Sequence, residues 1–189
     1  MFKNAKEALK YIKDNGIEFV DLRFCDVPGR WQNYTRPAHD FDEGTFKEGA
    51  GFDGSSIQGF QAIEESDMLL LPDPTTAFVD PYFADKTMVF ICDVYEPIKM
   101  TAYGKDPRGV AKRAEAYLKE SGVADTVFFG PEAEFFIFDD VAFNIDPYNF
   151  GFAIRSVEAH TGTMEFGDGY YIRKKEGYFP TPPSDKYLD

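Results

Sequence analysis

The chain has 189 residues and is 43% hydrophobic, including 20 phenylalanines, which is enough apolar material for one domain or for a domain and part of a second. Its 33 acidic and 20 basic residues give a formal charge of -13, which argues against non-specific binding to nucleic acid or to an anionic membrane. No stretch approaches about 18 apolar residues and the start lacks an apolar signal segment, so a cytoplasmic protein with no membrane partner is expected. Cys25 and Cys92 are expected to be free thiols, although one disulfide stays open.

The first hundred residues contain one helical pattern and several strand patterns. Ala5, Ala8 and Ile12 recur at helical spacing, and Asn15-Gly16 predicts the end of that helix. Residues 18–24 and 30–35 flank Pro28-Gly29 and predict a β-hairpin with an alternating apolar face. Further strands are predicted at residues 69–71, 77–79 and 87–94.

A second domain is predicted from residue 104 onwards. Asp106-Pro107 has the N-cap and first-turn pattern of a helix, with Val110, Ala114, Tyr117 and Leu118 on one side. The domains are therefore predicted at residues 1–103 and 104–189. Little periodicity is seen after about residue 140, so the second domain has no visible way to cover both faces of a sheet. The sequence predicts an incomplete second domain.

Two glutamates, Glu132 and Glu134, lie in the most hydrophobic stretch of the chain, residues 127–138. This stretch is typical of a buried strand, in which side chains two apart project from one face. Buried carboxylates need positive partners, and a pair of divalent ions such as Mg²⁺, Mn²⁺ or Ca²⁺ would fit this spacing. Salt bridges, or a face open to water, are the alternatives.

Residues 51–56 form a polar segment with the composition of a tight turn. Gly54 tolerates unusual backbone angles, and Asp53 can accept hydrogen bonds from nearby amides. Ser55 and Ser56 add donors and acceptors. By itself the pattern predicts a loop rather than a catalytic site.

Several segments, in this order, resemble the bacterial type I glutamine synthetase family. They are Arg23-Phe24 with Asp26 and Pro28-Gly29, Phe52-Asp53-Gly54-Ser55-Ser56 with Glu65-Ser66-Asp67-Met68, Asp106-Pro107 with residues 108–118, Pro131-Glu132-Ala133-Glu134-Phe135-Phe136, and Gly177-Tyr178-Phe179-Pro180 with Pro182-Pro183. The resemblance runs over essentially the whole chain but corresponds to less than half of a usual family member.

The resemblance implies an α+β protein, with an N-terminal β-grasp-like domain followed by the incomplete start of the catalytic α/β domain. It implies ATP-dependent ligation of ammonia to L-glutamate through γ-glutamyl phosphate, with ATP as co-substrate and two Mg²⁺ or Mn²⁺ ions per site. It also implies a homo-dodecamer of two rings, in which each active site lies between subunits.

The same resemblance implies roles for five residues. Glu134 would ligate the ion nearer the glutamate, and Glu132 the ion nearer the ATP phosphates. Asp53 would bind ammonium and draw off its proton, a task that suits an ionised carboxylate. Ser56 and Tyr178 match positions that line the ammonium pocket.

One departure from the family pattern limits what this chain can do. Each ion in the family has three protein ligands, whereas this chain supplies one for each, so the 189-residue chain is predicted to be inactive as a ligase by itself. Two alternatives stay open: a relative that joins glutamate to another amine, and a non-catalytic oligomerisation or interaction module derived from the family.

Overall fold

The computed structural model describes residues 2–158, 177–182 and 185–187. The chain divides into two compact units, residues 1–128 and residues 129–189. The helix that was predicted to begin the second domain lies in the first of these units. This division therefore does not test the predicted boundary between residues 103 and 104, which stays a prediction.

Helix α1 (Ala5–Asp14) begins and ends where its sequence signals predict. The Asn4 side chain accepts a hydrogen bond from the Glu7 amide and so satisfies one of the free donors of the first turn. The helix ends at Asn15, and Gly16 has a φ of 60°, in the left-handed region that glycine adopts readily.

One mixed sheet forms the centre of the first unit. The elements are β1 (Phe19–Cys25), β2 (Trp31–Pro37), α2 (Glu43–Glu48), β3 (Ala50–Asp53), β4 (Asp67–Pro72), β5 (Phe78–Val79), β6 (Thr87–Glu96) and β7 (Thr101–Ala102). The main strand order of the sheet is β2-β1-β6-β4-β3, and its β1–β6 pairing is parallel whereas the others are antiparallel. Two short strands, β5 and β7, also pair with β6.

The predicted hairpin and the three predicted strands are confirmed. The apolar alternation of β1 matches the buried face of this sheet, whereas both residues of β5 are exposed. Val20, Leu22 and Phe24 share one face of β1 and are all buried. Helices α1 and α2 supply Ala8 and Phe46 to the same core. Helix α2 and strand β3 were not predicted, because each is too short for its period to be visible.

Buried charges in the hairpin are paired. Arg23 on β1 donates to Asp21 and to Asp80, each at 2.7 Å. Asp26 is 1% exposed and accepts the Arg30 amide at 2.7 Å. These bonds satisfy carboxylates that would otherwise be costly to remove from water.

Helix α3 (Pro107–Glu120) is anchored to the sheet through its first turn. The Asp106 carboxylate is 2% exposed, caps the helix by accepting the Arg108 amide at 3.0 Å, and accepts the Val94 amide at 3.2 Å. Arg108 pairs with Asp73 and, at 3.0 Å, with Asp93. Val110 and Tyr117, on the predicted apolar side, are exposed.

The second unit contains an antiparallel hairpin that was not predicted, β8 (Asp140–Ile145) and β9 (Phe150–Arg155). Asp146 accepts the Tyr148 and Asn149 amides and closes its turn.

The α+β class is confirmed. None of the described helices is long and apolar enough to cross a membrane.

Candidate functional site

The Asp53 loop, defined here as residues 53–60, begins where strand β3 ends. Asp53 lies opposite Asp67 in the β3–β4 ladder, and a single 3-10 turn follows at Gly54–Ser56. The carboxylate of Asp53 accepts the Ser55 amide at 2.8 Å, the Ser55 hydroxyl at 2.6 Å and the Ser56 hydroxyl at 2.9 Å. The sequence therefore predicts correctly that this carboxylate bonds its own turn, and the structure brings Asp53 and Ser56 together.

Gly54 fixes the start of the loop through a very close approach to strand β4. Its amide donates to the Ser66 carbonyl at 2.6 Å. A Cβ atom at position 54 would lie 2.4 Å from the Sδ atom of Met68 and 2.8 Å from its Cγ atom. Met68 is 1% exposed, so its side chain has little room to move. Only glycine fits here without displacing the core.

Hydrogen bonds also keep Asp53 ionised. The Ser55 hydroxyl, the Ser56 hydroxyl and the Ser55 amide together hold the pKa of Asp53 below its ordinary value. Because the pKa is lowered in the folded state, the stabilisation is present above the ordinary pKa and is lost as the pH falls through the folded value. At neutral pH the side chain is an anion.

Ser55→Ala is expected to raise the pKa of Asp53 towards its ordinary value, because it removes the hydroxyl that lowers this pKa most. A carboxyl-carbon NMR titration of the wild-type and variant chains measures this directly. Thr75→Ala is the matched control, since Thr75 makes the same two bonds to Asp73 instead. An unchanged Asp53 titration in Ser55→Ala would contradict the assignment.

Residues 127–138, which carry Glu132 and Glu134, do not form the predicted buried strand. The segment has no regular secondary structure and pairs with no described strand, and both glutamates are exposed. An apolar run becomes a strand only when a neighbour satisfies its backbone, and β8 and β9 pair with each other instead. The expectation that these carboxylates are buried is therefore wrong for this structure.

Glu134 and Tyr178 lie together in the second unit. The Tyr178 hydroxyl donates to the Glu134 carboxylate, and this bond, followed by burial and by the negative charge of Glu134, raises the pKa of Tyr178. Both residues line a cavity of about 510 Å³ with Ala133, Phe136, Pro180 and Tyr187. Pro183, in the predicted motif around Tyr178, lies outside the described residues.

The chemistry that these groups offer is the binding of cations. Glu132 and Glu134 present carboxylate oxygens, the ligands that Mg²⁺ and Mn²⁺ prefer. Within residues 2–158, 177–182 and 185–187, no group of three or more His, Cys, Asp or Glu side chains is placed to hold a metal. The predicted pair therefore fits the donor chemistry of a metal site but not a complete ligand set.

Two structural features of the Asp53 loop were not predicted. One is the contact between Gly54 and Met68, and the other is a pair of side chains, Tyr103 and Lys105, that bond the carbonyl of Phe60. These residues are 14 to 45 positions apart in the chain, and no local pattern joins them. The only feature of the sequence that pointed to these contacts was Gly54, the glycine before Ser55 and Ser56.

Two family models match this chain in succession. Residues 16–97 match the model described as glutamine synthetase, beta-Grasp domain, and residues 104–189 match glutamine synthetase, catalytic domain. The glutamine synthetase of Azorhizobium caulinodans is 56% identical over 191 residues, which cover 99% of this chain and 41% of that protein. The glutamine synthetase of Rhizobium meliloti is 54% identical over 189 residues and is covered to 40%. The chain thus spans about two fifths of the length of these curated relatives.

A solved structure has the same fold over nearly the whole chain. The cryo-EM structure of Plasmodium falciparum glutamine synthetase superposes with a TM-score of 0.71 at 24% identity, covering 99% of this chain and 38% of that one. At that identity the match supports the fold alone. It agrees with the predicted order of a β-grasp domain followed by the start of a catalytic domain.

Proposed function

The chain belongs to the glutamine synthetase family, and we propose that the whole protein ligates ammonia to L-glutamate with ATP, forming glutamine for nitrogen assimilation. The observation that carries this proposal is the consecutive match of the β-grasp and catalytic models at residues 16–97 and 104–189. ATP phosphorylates the γ-carboxylate of glutamate, and ammonia then displaces phosphate from γ-glutamyl phosphate.

In this proposal Asp53 binds ammonium and accepts its proton. Its exposed carboxylate is ionised at neutral pH and is held in place by the Ser55 and Ser56 hydroxyls. An anion in a fixed position attracts ammonium and can take the proton as the nitrogen attacks. By the sequence resemblance, Ser56 and Tyr178 match positions that line the ammonium pocket of the family, whose active site lies between subunits.

Glu132 and Glu134 would each hold one of two divalent ions, Mg²⁺ or Mn²⁺. Such ions would neutralise phosphoryl charge and orient the glutamate carboxylate when bound. The exposed carboxylates and their place in the catalytic-domain match support this assignment. Tyr178 donates to Glu134 and so orients one of its oxygens. The remaining ligands would come from residues other than those described.

We also propose that the whole protein assembles as a two-ring homo-dodecamer in the cytoplasm. The β8–β9 hairpin exposes large apolar side chains, including Phe143, Phe150 and Phe152. Exposed apolar surface of this kind is commonly covered by association or by further chain. Cys25 and Cys92 carry free thiols, which suits a reducing compartment.

The test is an assay of the intact gene product with glutamate, ammonium, ATP and Mg²⁺. One glutamine and one ADP are expected for each ATP consumed. Product formed from methylamine but not from ammonium would show an amine ligase instead, and an intact protein without ATP-dependent turnover would show a non-catalytic module. As the matched control, the 189-residue chain is expected to form no more glutamine than its Glu132→Ala variant.

A further inference from the structure

A continuous set of hydrogen bonds joins the Asp53 loop to the segment that precedes α3. The Gly54 carbonyl accepts the Ile57 amide at 3.2 Å, and the Ile57 carbonyl accepts the Phe60 amide at 3.1 Å. The Phe60 carbonyl then accepts the Tyr103 hydroxyl at 2.7 Å and the Lys105 ammonium at 2.9 Å. The chain of bonds therefore runs from the turn that holds Asp53 to Tyr103 and Lys105.

The end of this series of hydrogen bonds at Phe60 and Tyr103 is fixed in the core. Phe60 is 2% exposed and Tyr103 is 4% exposed, with their ring centroids 5.2 Å apart. Phe24 on β1 also packs against Phe60 and against Phe52, with ring centroids 6.0 Å and 5.0 Å away. The bond from the Tyr103 hydroxyl is buried, and a hydrogen bond in such a dry place is strong.

Asp53, by contrast, lies at the exposed end of the loop. Its own bonds go to Ser55 and Ser56, which belong to the same turn and cannot by themselves place that turn on the protein. The anchors are Gly54, through the Ser66 carbonyl, and Phe60, through Tyr103 and Lys105. The position of the carboxylate thus depends on both anchors.

We propose that Tyr103 and Lys105 are positioning residues that set the Asp53 loop for use of ammonium. This inference rests on the proposed function. A reacting group must be held within about 0.5 Å of its productive place, so a loosened loop lowers the effectiveness of Asp53 without touching the substrate. Tyr103 lies between the regions that the two family models match, and Lys105 lies just inside the second region. The segment that joins the two matched regions therefore supplies the anchor.

Two variants of the intact enzyme test the inference. Tyr103→Phe keeps the ring against Phe60 and removes the hydroxyl, while Lys105→Met removes the ammonium of an exposed side chain. Each is expected to raise the KM for ammonium about 3- to 10-fold, the factor for one lost hydrogen bond, and the double variant more. The KM values for ATP and glutamate are expected to stay within about twofold. Hydrogen exchange of the amides at residues 54–60 is expected to quicken.

Thr76→Val is the matched control. It removes a part-buried bond from the Ile91 amide to the Thr76 hydroxyl, which is outside the loop and its partners, and so lowers stability without raising the KM for ammonium. Asp53→Asn separates the two proposals. If it leaves the KM for ammonium unchanged, the role of Asp53 fails and the positioning inference fails with it. If it raises that KM but the double variant does not, or if exchange at residues 54–60 is unchanged, only the inference is overturned.

Discussion

Glu132→Gln and Glu134→Gln are each expected to lower kcat/KM for glutamine formation by the intact protein more than about 100-fold. The amide keeps the shape of the side chain but loses the negative charge that would bind a divalent ion. Loss of groups that only orient a ligand typically costs 10–100-fold, and a direct ligand should cost more. Steady-state kinetics over a range of Mg²⁺ concentrations measures both the rate and the apparent affinity for the ion.

The two variants are expected to differ in which substrate they affect. If each glutamate has its own ion, Glu134→Gln raises chiefly the KM for glutamate and Glu132→Gln chiefly that for ATP. Asp140→Asn is the control, because Asp140 is an exposed acid of the same unit whose ion pair with Arg155 is long, at 3.6 Å. If Glu132→Gln and Glu134→Gln kept activity within fivefold of wild type, with an unchanged dependence on Mg²⁺, the assignment of these glutamates as metal ligands would be refuted.

Gly54→Ala is expected to destabilise the first unit by about 1–3 kcal/mol, the usual cost of forcing an extra group into a packed core. The added Cβ would overlap the Sδ and Cγ atoms of Met68, a buried residue of strand β4. Urea unfolding of the chain, followed by circular dichroism, measures the midpoint and the slope. The same variant of the intact enzyme is expected to raise the KM for ammonium, because the Asp53 loop must move.

A neighbouring glycine provides the matched control for this substitution. A Cβ at Gly51, on strand β3 just before the loop, meets nothing within 4 Å, so Gly51→Ala should not lower the midpoint. The Met68→Ala background removes the atoms that clash, so Gly54→Ala should cost less there than in wild type. Equal midpoints for Gly54→Ala and Gly51→Ala would show that the close approach at position 54 carries no energetic cost.

The sequence predicted the elements of the first unit well, because their local patterns agree with their burial. Strand β1 alternates, and Val20, Leu22 and Phe24 are indeed buried. Asp106-Pro107 carries its own capping chemistry, and the Asp106 side chain accepts the Arg108 amide as that pattern predicts. Such signals are contained within a few residues, so they can be interpreted without knowing the rest of the fold.

The second unit shows where the same reasoning fails. Residues 127–138 have the composition of a buried strand, yet the segment lacks a described partner strand and its glutamates are exposed. The β8–β9 hairpin was missed, although Asp146-Pro147 is a turn signal between two apolar runs. Strand formation depends on a neighbour, and the identity of that neighbour is not a local property.

The sequence by itself determined the family, the order of its two domains and the candidate residues, because motifs such as Phe52-Asp53-Gly54-Ser55-Ser56 are contiguous. Only the tertiary structure decided how the Asp53 loop is held. Gly54 meets Met68, and Phe60 meets Tyr103 and Lys105, through contacts between distant parts of the chain. The physical reason is that close packing and buried hydrogen bonds depend on which residues the sheet brings together, which no local pattern specifies.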